Sequence, residues 1–159
     1  DVAMRKQRIW QCICVALTCA MTAFIFFNSA QTAEVSDGVS HGVLAWIEAL
    51  FERHGVQTGL TNHIIRKSGH FLEYFILGAL LLATLRSFSA KIRQNIFLPL
   101  FFGLLVPVLD ETLQLVVEGR SGQVSDVLLD FSGALTGILL ACAAVYLTAR
   151  RRKKRNAHE

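Results

Sequence analysis

Residues 9–33, IWQCICVALTCAMTAFIFFNSAQTA, carry no charged side chain. At ~1.5 Å per residue this run is longer than a ~30 Å hydrocarbon core, so a helix here can span a bilayer. A second uncharged run, FSGALTGILLACAAVYLTA, occupies residues 131–149. Two more apolar stretches lie between them. Ser68–Leu85 is interrupted by His70 and Glu73, and Gln94–Val117 by Asp110 and Glu111. Over all 159 residues, 53% are hydrophobic and 18% charged, with a mean hydropathy of +0.45. Soluble domains are less apolar and about 25% charged. The balance excludes a soluble enzyme, a disordered chain and a disulfide scaffold. It predicts one all-α membrane domain over residues 1–159, with four transmembrane helices at about 9–30, 68–85, 94–117 and 127–149, and a basic tail at 150–159. A secretory signal fits the first run less well, since its apolar part exceeds the usual ~7–15 residues.

Lysine and arginine set the orientation. Arg5, Lys6, Arg8, Arg86, Lys91, Arg93 and the run Arg150–Arg155 fall on one side of a four-span chain, twelve basic residues in all. Arg53, Arg66, Lys67 and Arg120, four residues, fall on the other. Both termini are therefore expected in the cytoplasm of a multi-pass protein of the bacterial plasma membrane. The basic tail reads as an anchor on anionic lipid rather than a nucleic-acid site. In the first outside loop, Val43, Leu44, Trp46, Ile47, Leu50 and Phe51 recur at helical spacing, which predicts a short amphipathic helix ending near Gly55. Cys12, Cys14, Cys19 and Cys142 all fall in spans, form no CxxC pair and read as small buried apolar residues.

Depth carries the functional reading. Counted up from the cytoplasmic charges at ~1.5 Å per residue, Glu73, His70 and Arg66 lie at about 20–30 Å. Asp110 and Gln114 lie at about 26–32 Å, and Asp130 and Asp126 at about 30–36 Å. Ionisable groups from three helices thus collect in the outer leaflet and its interface. Each set also shares a helix face: Arg66, His70, Glu73 and Tyr74; Asp110, Glu111 and Gln114; Asp126, Asp130, Gly133 and Gly137. A charge at the bilayer centre costs about 2.5–3.5 kcal/mol even on the lenient insertion scale, so these faces are expected to turn inward and meet. The acids Glu73, Asp110, Glu111, Asp126 and Asp130 outnumber the bases Arg66, Lys67 and Arg120. The excess calls for a shared proton, a protonated His70 or a bound cation. A mutually paired structural network is the competing reading. In the third span Pro107 removes a hydrogen bond to Gly103 and can kink the helix just before Asp110.

The run Arg66-Lys67-Ser68-Gly69-His70-Phe71-Leu72-Glu73-Tyr74-Phe75-Ile76-Leu77-Gly78 resembles the RKxxHFxEYxxLG block of the VanZ-like membrane proteins. Asp110-Glu111-Thr112-Leu113-Gln114 with Gly119-Arg120 is similar to that family's DExxQ…GR block. Asp126-Val127 through Gly133 is similar to its DVxxDxxG block. Phe27-Asn28-Ser29-Ala30-Gln31 resembles its weaker FSSQ feature. Two positions depart: Leu113 stands where many relatives have His, and Glu118 where many have Pro. A mechanism needing a second histidine beside Gln114, at the position of Leu113, has no residue for it there. The resemblance implies a link to low-level resistance to teicoplanin-type glycopeptides.

Two kinds of function fit these residues. In the first, the protein binds or modifies a membrane lipid or polyprenyl-linked envelope precursor. Arg66, Lys67 and Arg120 would hold a phosphate, helped by Tyr74 and Gln114. His70 and Glu73, with Asp110 and Glu111, would do acid–base work, and Asp126 and Asp130 would hold a divalent cation. In the second, it is a non-catalytic binding or scaffold protein for wall-synthesis partners, with a possible homo-oligomer contact along the Gly133/Gly137 stripe. Transport would require an oligomer, since four spans are few for a carrier. The orientation is open to a direct check. Fluorescent protein fused after Glu159 should fluoresce, and alkaline phosphatase fused there should stay inactive; active phosphatase would invert the topology.

Overall fold

The computed structural model describes residues 2–55 and 57–156. Its elements in chain order are α1 (Val2–Ser29), α2 (Ala33–Glu52), α3 (Asn62–Phe88), α4 (Ile92–Asn95), α5 (Phe97–Gln114) and α6 (Val124–Arg155). There is no strand among the described residues. Four helical stretches are long and apolar enough to cross a membrane: Val2–Ser29, Asn62–Phe88, Ile92–Gln114 and Val124–Arg155.

The surface of these helices suits lipid. Trp10, Phe24, Phe27, Phe97, Phe101, Leu139, Leu140 and Tyr146 all point outward. Inside, Ile25, Tyr74, Leu77, Val106 and Ala134 form the core, flanked by Met21, Phe26 and Leu81. Without a hydrophobic driving force between helices in lipid, close packing and polar contacts must hold them together. Both are present. Between α1 and α3, Thr18 and Thr84 hydroxyls lie 2.9 Å apart, and the Gln11 amide donates to the Ser87 carbonyl at 3.0 Å. Between α3 and α6, the most extensive helix pair, small residues let the backbones touch. A methyl group on Gly137 would overlap the Phe75 carbonyl, one on Gly133 the Phe71 carbonyl, and one on Gly78 the Ala134 carbonyl.

The helices outrun their apolar cores at several ends. Helix α3 starts at Asn62, where the Thr61 hydroxyl accepts from the Ile64 amide at 3.3 Å, a side-chain N-cap. Helix α6 runs on through the basic segment to Arg155, so most of that tail is helical. The third span is shorter than its hydropathy implies. Helix α5 passes through Pro107 and stops at Gln114, and Leu115, Val116 and Val117 turn back onto the carbonyls of Thr112, Leu113 and Gln114. Helix α2 begins at Ala33, ten residues before the apolar pattern at Val43. Its first turns are polar because Asp37 and Ser40 face the bundle: Asp37 bonds Arg66, and Ser40 is buried. The four cysteines are free.

This packing has a two-sided test. Gly137→Leu should lower the thermal midpoint of the detergent-solubilised protein by the equivalent of about 1–3 kcal/mol or more, because backbone must move. Gly42→Ala, in open space on α2, should leave it unchanged or raise it, by up to about 1 kcal/mol of helix propensity. Equal effects would mean that α3 and α6 do not touch at Gly137.

Candidate functional site

The polar groups gather at the bundle end opposite the basic tail. There the C-terminal ends of α1 and α5 meet the N-terminal ends of α3 and α6. The loop 115–123 closes over this end. Gly119, at φ 75°, makes the turn, and the Glu118 carbonyl accepts from the Ala33 amide at 3.3 Å. Gly122 lies so close to the Glu111 carbonyl that any side chain would collide with it.

The deepest layer holds Asp110, Asp130, Tyr74, Gln114 and Ser29, all buried, with half-buried His70. Asp110 accepts from the Ser29 hydroxyl at 2.8 Å and from the Gln114 amide at 3.4 Å. Its other oxygen, Oδ1, has no hydrogen-bond partner, and neither does the Tyr74 hydroxyl. Asp130 has none on either oxygen. His70 Nδ1 stands 3.9 Å from Asp130 Oδ1, beyond hydrogen-bond range. His70, Asp110 and Asp130 each present one potential ligand atom, and the three atoms lie within 4.8 Å of one another.

Nearer the mouth the groups are paired. Lys67 bonds Asp126 at 2.8 Å and Arg66 bonds Asp37 at 2.8 Å. Glu111 accepts from the Gln123 amide at 2.9 Å and from Gln114 at 3.3 Å. Arg120 donates to the Gln31 and Asn28 carbonyls at 2.9 and 3.2 Å. Those carbonyls close the C-terminal end of α1, where the helix dipole favours a cation. Burial, reinforced by the charge of Arg66, pulls the Arg120 pKa below the usual guanidinium value, although a guanidinium stays charged in proteins.

Two hollows flank this layer. One is a polar cavity of about 110 Å³, bordered by Arg66, Lys67, His70, Glu111, Arg120 and Asp130. That volume holds several waters or a phosphate-sized group. The other is a largely apolar groove of about 410 Å³ between α2 and α3, lined by Val35, Val39, Val43 and Ile47 at four-residue spacing, with Ile65 and Leu72 opposite. Arg66, His70 and Arg120 border both.

The structure therefore joins His70, Asp110 and Asp130 across three helices, brings Tyr74 and Gln114 into the same layer, and sets Glu111 just above it, bonded to Gln114 and Gln123. It separates two others. Glu73 faces the groove and is held by the Asn28 amide at 2.8 Å, not by His70. Asp126, read with Asp130 as a cation ligand, sits one turn nearer the mouth and pairs with Lys67 instead. The sequence does not single out Asp37 and Gln123, and Asn28 and Ser29 enter only through the FSSQ-like feature, with no role assigned. A further signal is the polar Asn28-Ser29 pair closing an otherwise apolar helix.

Fold and site together define a polytopic helical membrane protein with a buried ionisable cluster at one end. The VanZ/LLP1 family model matches residues 14–146, and the chain belongs to that family. No curated protein and no solved structure matches it.

The Ser29 contact gives a clean test. Ser29→Ala removes a hydroxyl from a fully buried carboxyl group and should destabilise the detergent-solubilised protein by about 1–3 kcal/mol in thermal unfolding. Ser125→Ala, at an exposed position, should stay within about 0.5 kcal/mol. Equal midpoints would remove Ser29 from the site.

Proposed function

We propose that the protein binds the anionic head and hydrocarbon tail of a lipid-linked cell-envelope molecule at the outer face of the membrane. One observation carries this reading: the polar cavity and the apolar groove share the wall formed by Arg66, His70 and Arg120. An amphiphile needs such a junction. Its phosphate would sit beside two guanidinium groups, which suit phosphate oxygens geometrically. Its chain would lie along Val35, Val39, Val43 and Ile47, removing their apolar surface from the interface. The orientation expected from the basic residues puts this junction at the outer leaflet.

Acid–base chemistry on the bound head is the fuller form of the proposal. His70 borders both hollows, Glu73 lines the groove and Glu111 lines the cavity. Asp110 stands behind them as the partner of Ser29. Family membership supports a role in the cell envelope, and lowered teicoplanin susceptibility is the phenotype the reading expects. The non-catalytic scaffold is favoured by a different observation: Arg66, Lys67 and Arg120 already have protein partners, as a purely structural network requires.

Native mass spectrometry of the full chain in nanodiscs separates these. Undecaprenyl phosphate should bind the wild type, and Arg66→Gln should weaken binding about tenfold, the equivalent of one charge-assisted hydrogen bond. Val39→Asp should also weaken it by placing a charge along the tail. Wild-type binding no tighter than that of a neutral polyprenol would sink the proposal.

A further inference from the structure

We propose that His70, Asp110 and Asp130 form a binding site for one transition-series divalent cation, with Zn²⁺ or Mn²⁺ as the fitting class. The starting point is an unmet requirement. Asp130 is fully buried, and neither of its carboxylate oxygens has a hydrogen-bond partner. Asp110 is equally buried; its Oδ1 makes no hydrogen bond, with the unpartnered Tyr74 hydroxyl as the one donor beside it, so Asp130 carries the larger unmet requirement. Buried polar groups are almost always satisfied, and a buried carboxylate left alone is strongly unfavourable. The nearby side-chain cations do not meet the need. Lys67 is bonded to Asp126, Arg66 to Asp37, and Arg120 to two carbonyls of α1.

Spacing points to an ion. Ligands about 2.0–2.2 Å from one metal stand about 3–4 Å from each other. His70 Nδ1 and Asp130 Oδ1 are 3.9 Å apart, too far for a hydrogen bond and close to that figure. All three ligand atoms fall within 4.8 Å of one another, so small side-chain rotations would complete the site. Charge agrees as well. A dication balances two carboxylates while a neutral imidazole supplies the third donor.

The donor set narrows the ion. One nitrogen and two carboxylates from three separate helices do not suit Ca²⁺, which takes six to eight oxygens. They suit borderline metals that accept imidazole, and three protein ligands are the pattern of sites that keep an open position. That opening would face the cavity, because His70 and Asp130 both border it. Asp126 takes no part. The ion site stands on its own geometry. That its open position receives a phosphate oxygen rests on the lipid-binding reading above.

The test uses the full chain in nanodiscs after EDTA treatment. Zn²⁺ and Mn²⁺ are added separately and followed by calorimetry. Pulsed electron paramagnetic resonance of the Mn²⁺ form reads nitrogen coupling from a bound imidazole. The wild type should take up one equivalent and show that coupling. Asp130→Asn should weaken binding at least tenfold, His70→Gln should abolish the coupling, and Asp126→Asn should change neither. The wild type alone suffices if a variant fails to fold. No uptake of either ion at millimolar concentration overturns the proposal, as does uptake without nitrogen coupling. Undecaprenyl phosphate binding is measured on the same protein, both after EDTA treatment and after the metal is restored. Metal uptake without lipid binding in either state leaves this site standing and removes the lipid reading. Lipid binding without metal uptake does the reverse.

Discussion

The backbone contact between α3 and α6 sets the rest of the structure. Gly133 and Gly137 lie directly against the carbonyls of Phe71 and Phe75, and Gly78 against Ala134. No side chain intervenes, so the two helices have one relative depth and rotation. His70 precedes Phe71 by one residue, and Asp130 precedes Gly133 by three. The same contact therefore fixes the height at which imidazole and carboxylate face each other. Helix α5 completes the layer from the other side, with Asp110 and Gln114 reaching Ser29 at the end of α1. The site follows from how closely two helices can approach, and glycine is what permits that approach.

The polar groups divide by burial. Around the mouth, Lys67–Asp126 and Arg66–Asp37 are partly exposed pairs, with 28–43% of each side chain accessible. Pairs of that kind contribute about 0–1 kcal/mol and are weak glue. Their geometric effect is larger: the Arg66 pair ties α2 to α3 at the edge of the apolar groove. In the deep layer the situation reverses. Asp110 and Asp130 have no cation against them, yet their burial makes every missing partner count. A network evolved only to hold helices would pair its deepest charges first. This one pairs its outermost charges and leaves the deepest ones open, which is the arrangement expected of a binding site.

Much of this was legible in the residues. The four spans follow from where charge is missing, and the gathering of His70, Asp110 and Asp130 at one level follows from counting residues along each helix. Phase within a helix can also be read, as with Asp110 and Gln114. What could not be read is which groups meet across helices. Asp126 and Asp130 share a face of α6, yet Asp130 stands opposite His70 while Asp126 pairs with Lys67. Ser29 and Asn28 carry no charge, so counting charges passes over them. Asp37 belongs to a loop by composition and becomes part of the bundle only because α2 begins early.

The family blocks contain all three residues of the deep trio, together with Glu73 and Asp126, which lie outside it. The two departures from the family pattern differ in their reach. Leu113, where relatives carry His, is only partly buried and lies between the site residues Glu111 and Gln114. The deep trio therefore has no second imidazole from α5, and His70 is the nitrogen donor it contains. Glu118, where relatives carry Pro, contributes its backbone carbonyl to Ala33, and a proline carbonyl would accept that bond equally well. The first departure thus bears on the chemistry of the site. The second leaves the loop closure intact, because that closure is made by main-chain atoms and by the turn at Gly119.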